Sequence, residues 1–429
     1  MELNKNQKKA VFEYDGNCVV VASPGTGKTK TLVARAQNKM ESLPRNQVLV
    51  LITYTNAAAN EIASRLINSK SIFIGTIHSF CLEYILRPFS WINKWFIPRV
   101  ISDEQVSDFI EQNTDIRGQD GNTNIIEELG KIKRRLDGSW NENVEWNLTI
   151  PLKVVAERYS TYKKDLKVID FNEILYRSYK LICSYPFIST SVSAKCYEIL
   201  VDEFQDTNEF QYEIFKIINN VGLSSFFLVG DPKQRIFTFA GAIEDAFERA
   251  KEDFRAKCYN LTEAYRSTDN IVNTYSCLFD DHPLVENKSE WSNIPVEVKI
   301  IETTKDSNSK IVEDILNRLN NHWKVKPDEI AILSTSWFSA YSLSKDLRRK
   351  FPLVGLGALP HKYISNSTMS LLKELSKYRV NSTIENLRAI KRSVEVHLLE
   401  NNLEISDNNI NKATNYLITE FLKLDINKS

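Results

Sequence analysis

Residues 19–29, Val19-Val20-Val21-Ala22-Ser23-Pro24-Gly25-Thr26-Gly27-Lys28-Thr29, constrain this chain more than any other stretch. Three β-branched residues in a row suit a strand buried on both faces. A turn with two glycines follows, and Thr31-Leu32-Val33-Ala34-Arg35-Ala36 continues as helix. Backbone N–H groups of such a turn point inward and cradle phosphate oxygens. Lys28 then reaches the β/γ-phosphates and the Thr29 hydroxyl ligates Mg²⁺. This is the pattern of a phosphate-binding P-loop, with the small residue Ala22 at its first glycine position. The plain alternative is a loop with an exposed lysine, and the strand before and helix after argue against it.

Further short apolar strands are expected at Val48–Ile52, Ile72–Ile74, Glu198–Val201 and Phe226–Val229, mostly separated by helical patterns. Such alternation predicts a parallel sheet covered on both faces, with ligands at the carboxyl ends of its strands. Ile199-Leu200-Val201 runs straight into Asp202 and Glu203. Nucleotide hydrolysis needs one acid to hold Mg²⁺ and another to orient or deprotonate water. Asp202 suits the first role and Glu203 the second; alone, the pair reads equally well as solvated acids at a strand end. The strand Phe227-Leu228-Val229 leads to Gln234, whose amide can sense a γ-phosphate. In Leu261-Thr262-Glu263-Ala264-Tyr265-Arg266-Ser267, Tyr265 can stack on a base and Arg266 can stabilise charge on the transferring phosphoryl group. The alternative for Arg266 is a surface ion pair.

A length of 429 residues sets a prior of about three domains. Lys+Arg and Asp+Glu are equal at 55 each, so a nucleic-acid site has to be a local groove. No apolar run approaches the ~20 residues of a membrane span, and the N-terminus lacks a signal-peptide layout. The expectation is a cytoplasmic protein without a membrane partner. The six cysteines include no Cys-x-x-Cys pair, which argues for buried thiols over disulfides, zinc or a cluster.

Between Ile101 and about Pro186 the sequence turns polar and mostly helical, as an insertion between the third and fourth strands would. A fresh α/β pattern starts near Val296, with strands expected at Val296–Ile300 and Ile330–Leu333 around a helix at Ile311–Leu319. Ser382 and Glu385 have capping-box spacing, and Ile384, Leu387, Ile390, Val394 and Leu398 repeat helically. A last helix is expected from Asp407 to Leu424.

In order, these motifs resemble those of superfamily 1A DNA helicases of the UvrD/Rep type, over roughly the first two thirds of the chain. Leu3-Asn4-Lys5-Asn6-Gln7 resembles the opening glutamine motif of that family, which implies an adenine contact for Gln7. Ala22 to Thr29 (Ala22, Ser23, Pro24, Gly25, Thr26, Gly27, Lys28, Thr29) is similar to the Walker A motif and implies the phosphate cradle. Ile52-Thr53-Tyr54-Thr55-Asn56 and Gly75-Thr76-Ile77-His78-Ser79-Phe80 resemble the motifs that touch single-stranded DNA. Asp170-Phe171 is similar to a short element late in the family's inserted domain. Asp202-Glu203-Phe204-Gln205-Asp206 has the Walker B form, and Gly230-Asp231-Pro232-Lys233-Gln234 through Gly241-Ala242 and Tyr265-Arg266-Ser267 resemble the third and fourth motifs.

The resemblance implies an α/β fold: a P-loop (RecA-like) parallel sheet flanked by helices, with a helical insertion and a partial second RecA-like domain. Residues 1–100 and 187–280 form the ATP-binding domain on this reading, 101–186 the insertion and 281–429 the partial second domain. It implies ATP and Mg²⁺, held by Thr29 and Asp202, with hydrolysis carried by Lys28, Asp202, Glu203, Gln234 and Arg266. It implies 3′-to-5′ movement on single-stranded or tailed DNA. Tyr54, Phe237 and Phe239 are the expected base platforms, and Asn56 and His78 the polar contacts. Each has a plainer alternative: the aromatics as core, Asn56 as a helix cap, His78 as a structural histidine. The basic runs Lys131–Arg135 and Arg348–Lys350 read best as solvated helix faces.

The chain departs from the family pattern at Ala240, where an arginine is usual, and at Ala264, where an asparagine is usual. Motifs V and VI, with their second arginine finger, are not found. That leaves a second expectation: a nucleotide- and DNA-binding regulatory subunit that senses DNA and acts with a partner nuclease, as in bacterial phage defence.

Overall fold

The computed structural model describes the chain apart from Met1 and residues 67–70, 94–98, 121–122, 238–240, 279–284, 295–297, 299–300, 302–307, 322–323, 327–328, 335–336, 349, 352–366, 381, 383–385, 388–389, 392, 395–406 and 424–429. Two compact units divide it, Met1–Lys299 and Ile300–Ser429.

In the first unit the described strands are β1 (Cys18–Ala22), β2 (Val48–Thr53), β3 (Ile72–Thr76), β4 (Arg99–Val100), β5 (Val168–Ile169), β6 (Cys196–Val201), β7 (Ser225–Gly230), β8 (Lys257–Leu261), β9 (Glu263–Ala264) and β10 (Glu286–Asn287). Six of them make one wholly parallel sheet in the order β3-β2-β6-β7-β1-β8. Successive side chains of a strand point to opposite faces, so each strand feeds two cores. Val48, Val50 and Ile52 of β2 enter one core with Val19, Ile199 and Leu228. Leu49 and Leu51 enter the other with Val20, Leu200 and Val229. Helices α1 (Lys5–Phe12) and α2 (Lys28–Glu41) cover the second face through Ala10, Leu32, Val33 and Ala36. Helices Phe171–Ser184, Pro186–Lys195, Glu209–Val221 and Ala246–Asp253 cover the first through Ile174, Ile188, Phe215 and Phe247. Burial on both faces explains the unbroken apolar runs of the central strands.

β8 is the strand the sequence hides. Among the described residues it pairs only with β1, and within it only Tyr259 and Leu261 are buried, so its polar residues mask its pattern. Residues 101–162 carry a separate core of Phe109, Ile116, Leu129, Leu148, Val155 and Tyr159. The two-residue pairing of β4 with β5 closes the base of this insertion between β3 and β6. The helix from Phe171 onward packs into the main core rather than this one. β10 pairs with β9, so the first unit runs past the expected limit at residue 280.

The second unit contains helices Asn308–Asn321, Trp337–Leu347, Ser367–Val380 and Asp407–Lys423. Leu371, Leu375, Ile390 and Val394 form a small core there. The strand expected at Ile330–Leu333 is not formed among the described residues: these residues are coil, and Leu333 is 94% exposed with no neighbouring strand described to pair with it. Apart from Val298 and Ser382, the expected strand Val296–Ile300 and the box Ser382/Glu385 lie outside the described residues. Of the cysteines, Cys18, Cys81 and Cys196 are buried as expected, but Cys183, Cys258 and Cys277 are exposed. Among the described residues no helix is long and apolar enough to cross a membrane.

Candidate nucleotide site and nucleic-acid interface

The loop after β1 turns on Gly25 (φ +74°) and Gly27 (φ +85°), left-handed conformations that glycine adopts without a Cβ clash. The Thr26 side chain donates to Ser23 O at 2.7 Å, and the Tyr265 N–H donates to Gly25 O at 2.9 Å. Space is tight as well: a Cβ on Gly27 would lie 2.7 Å from Gln7 Nε2. Gln7 itself is buried. Its Oε1 accepts from Asn4 N at 3.0 Å, and its Nε2 donates to Thr26 O at 3.0 Å. The amide that the resemblance gives to adenine therefore braces the loop from behind. Ala22 and Ser23 are buried, and Pro24 O accepts from the Tyr275 hydroxyl at 3.3 Å.

Because β7 lies between β1 and β6, the carboxyl ends of all three strands meet at one mouth. Lys28, Glu203, Gln205, Asp231 and Gln234 close a polar ring there. Lys28 Nζ lies 3.4 Å from Glu203 Oε2 and donates to Gln234 Oε1 at 3.4 Å. Gln234 Nε2 donates to Asp231 Oδ2 at 2.9 Å, and the Asp231 N–H donates to Gln205 Oε1 at 3.0 Å. Gln205 Nε2 completes the circuit on Glu203 Oε2 at 2.7 Å. Gly230 makes room for it: a Cβ there would stand 2.3 Å from Gln205 Oε1. The sequence leads one to expect Lys28, Glu203 and Gln234 here and gives no role to Gln205, Asp231 or Gly230; for Gln205 and Asp231 the alternation of amide and acid after the two strands is the signal that could have found them.

Asp202 sits behind the ring, 7% exposed, and its Oδ1 accepts the Glu203 N–H at 3.1 Å. Burial, then the neighbouring Glu203 charge, push its carboxyl up to about 6, against the pull of Lys28. A buried acid so weakly compensated suits a cation. Mg²⁺ characteristically takes one or two carboxylates plus phosphate and water oxygens, so Asp202 with the Thr29 hydroxyl at the start of α2 fits it. Arg266 is exposed beside Gly25, its Cβ 3.1 Å from where a Gly25 Cβ would be. It makes no ion pair among the described residues, so the surface-pair alternative fails for it. The Tyr265 hydroxyl donates to Glu263 Oε2 at 2.5 Å and accepts from Asn4 Nδ2 at 2.8 Å, with the ring 41% exposed. Ala264, the departure from the usual asparagine, is buried in the β9–β10 pairing.

The expected DNA contacts follow β2 and β3. Tyr54 is 39% exposed and not core; its ring stacks on Phe237, centroids 4.3 Å apart at 27°. Phe239 and Ala240 lie outside the described residues. Asn56 is not a cap: Thr55 Oγ1 accepts the Ala58 N–H at 3.1 Å, and Asn56 is the exposed first residue of α3 (Asn56–Arg65). Burial holds His78 down at about 4, so its imidazole is neutral at physiological pH. Its ring meets Phe171 edge-on at 5.5 Å, and Phe171 is 60% exposed, an aromatic surface not expected from the sequence. The Lys131–Arg135 run is no solvated face. Ile132 is buried, Lys131 pairs with Glu128 at 2.5 Å, and Arg134 lies 3.8 Å over the Trp140 ring. In the second run Lys350 pairs with Glu313 at 2.5 Å, and Arg349 lies outside the described residues.

Residues 3–255 match the UvrD/REP helicase N-terminal domain. The ATP-dependent DNA helicase Rep of Buchnera aphidicola subsp. Schizaphis graminum is 26% identical over 434 aligned residues, covering 96% of this chain and 63% of the relative. DNA helicase II of Rickettsia typhi is 27% identical over 425, covering 92% and 62%. The chain thus spans about three fifths of the length of these relatives. Both relatives bear helicase names. With more than half its length matched, and with a parallel sheet that gathers the P-loop lysine, the acidic strand end and the glutamine turn at one mouth, the chain belongs to the UvrD/REP helicase family.

Proposed function

We propose that the chain binds Mg²⁺-ATP at the mouth formed by β1, β7 and β6, and uses its hydrolysis to move 3′-to-5′ along single-stranded DNA. The observation that carries this is Lys28 held between Glu203 and Gln234, with Asp202 buried directly behind. A triphosphate entering the loop competes for Lys28. Glu203, released from the lysine, is then free to orient water, while the Gln234 amide turns to the γ-phosphate. Arg266, with no acidic partner among the described residues, neutralises charge as the phosphoryl group leaves. Thr29 and Asp202 would hold Mg²⁺, which would supply positive charge against the phosphates. Gln7 keeps the loop in shape, and Tyr265 offers its exposed ring to the base. Tyr54 and Phe237 supply stacking surface, worth ~1–3 kcal/mol per base, with Asn56 and His78 alongside for polar contacts.

The test is ATP hydrolysis with and without oligo-dT, using Glu203→Gln as control, followed by strand displacement on a 3′-tailed duplex. Expected are DNA-stimulated hydrolysis and a loss of about 10²–10⁴ in the variant. Hydrolysis absent under every condition overturns the reading.

A further inference from the structure

A cavity of about 350 Å³ opens beside the helix Phe171–Ser184, and neither the nucleotide mouth nor the DNA contacts use any of its lining. Its volume lies in the range of small-ligand pockets. The walls come from Leu86–Ser90 before the insertion, from Arg134 and Ser160 inside it, and from Glu173–Tyr185 after it. The segment leading in, Cys81–Leu86, is a π-helix, with the Arg87 N–H donating to Leu82 O at 3.0 Å. Such turns are rare and recur at functional sites.

The lining is aromatic and cationic together. Phe89 and Tyr185 both meet the Phe187 ring edge-on, at 5.9 and 6.2 Å, which braces them. Arg134 is half-buried. Its bond to Gly138 O at 2.8 Å fixes it, as do the rings of Trp140 and Tyr176, 3.8 and 5.3 Å from its Cζ. With Arg177 and Lys180, three cations line the cavity against one acid, Glu173, in a chain with no net charge. That acid is already shared, by Arg177 at 3.3 Å and by the buried Lys163 at 3.5 Å. Among the described residues neither Arg134 nor Lys180 pairs with an acid. Clustered cations take a phosphate, and aromatic rings beside them stack on a base.

We propose that this cavity is a second small-ligand site, which binds a free nucleoside monophosphate. Its phosphate lies on Arg134, Arg177 and Lys180, and its base against Phe89 and Tyr185. A ligand there touches residues before, within and after the insertion, so it ties the insertion to the body that carries the sheet. The inference goes beyond the function proposed above and uses no residue of the nucleotide mouth.

AMP, adenosine and inorganic phosphate are each titrated calorimetrically into the Lys28→Ala chain, in which the P-loop no longer competes. AMP is expected to bind at least about tenfold more tightly than either half alone. Adding Lys180→Glu is expected to weaken AMP at least about tenfold. No binding at about 1 mM AMP overturns the inference. So does inorganic phosphate binding as tightly as AMP, or an AMP affinity indifferent to Lys180→Glu. A 5′-phosphorylated oligo-dT that outcompetes AMP also overturns it, and makes the cavity a site for strand ends. Hydrogen exchange on the unsubstituted chain serves if a variant does not fold. AMP should protect both 86–90 and 176–185, and protection missing from either segment overturns the site.

Discussion

Arg35 and Glu198 form a fully buried ion pair, Nη2 to Oε1 at 2.6 Å, between α2 and β6. The same guanidinium donates to Val11 O and Tyr14 O at 2.8 Å and packs against the Phe227 ring at 5.2 Å. The pair thus fixes the helix that begins with Lys28 against the strand that leads into Asp202. Removing one partner strands a buried charge. Glu198→Ala is expected to lower unfolding free energy by about 3–5 kcal/mol, whereas the apolar double replacement Arg35→Met/Glu198→Leu costs far less. Urea unfolding of the three proteins checks this.

Lys28 and Glu203 should separate binding from turnover. Lys28→Ala removes the phosphate ligand and is expected to abolish ATP binding in a fluorescent-nucleotide titration. Glu203→Gln keeps the ring's shape and is expected to bind ATP within a few-fold of wild type while hydrolysis collapses.

Gly230→Ala is a steric test. The new Cβ would stand 2.3 Å from Gln205 Oε1 and 2.9 Å from the Phe204 nitrogen. Overpacking of this kind costs typically ~1–3 kcal/mol. Gln205 is also displaced from Glu203, so the ATPase rate should fall more than the thermal midpoint suggests. A variant as active and as stable as wild type would contradict the ring.

His78 gives the pH test. Burial lowers its pKa from 6.5 to about 4. The unfolded chain therefore takes up the proton first as pH falls. The stability this group contributes is complete above pH 6.5 and is lost as pH drops through about 4, by an amount on the order of a few kcal/mol. His78→Gln has no such proton. Its unfolding midpoint relative to wild type should rise between pH 6.5 and 4, and parallel pH profiles would refute the assignment.

Much of the site was legible because its parts are local. Strand, glycine turn and helix lie within residues 18–41, and the acids follow directly on their strand. What joins parts across the sheet left no trace in spacing. Arg35 meets Glu198 from 163 positions away, and Gln205 meets Asp231 from 26. Edge strand β8 escaped because one-sided pairing tolerates Lys257 and Asn260. Ile330–Leu333 misled because an apolar run resembles a strand whether or not a neighbour exists to pair with it. Asn56 was offered a cap that the preceding Thr55 already supplies.

Glu203 holds φ +50°, a backbone state unfavourable for a residue with a Cβ. A chain shaped only for durability would place glycine there and relax. Glycine carries no carboxylate, so the protein keeps a locally uncomfortable residue where it could most easily be made sturdier. Glu203→Gly is therefore expected to yield a tougher fold with a silent ATPase.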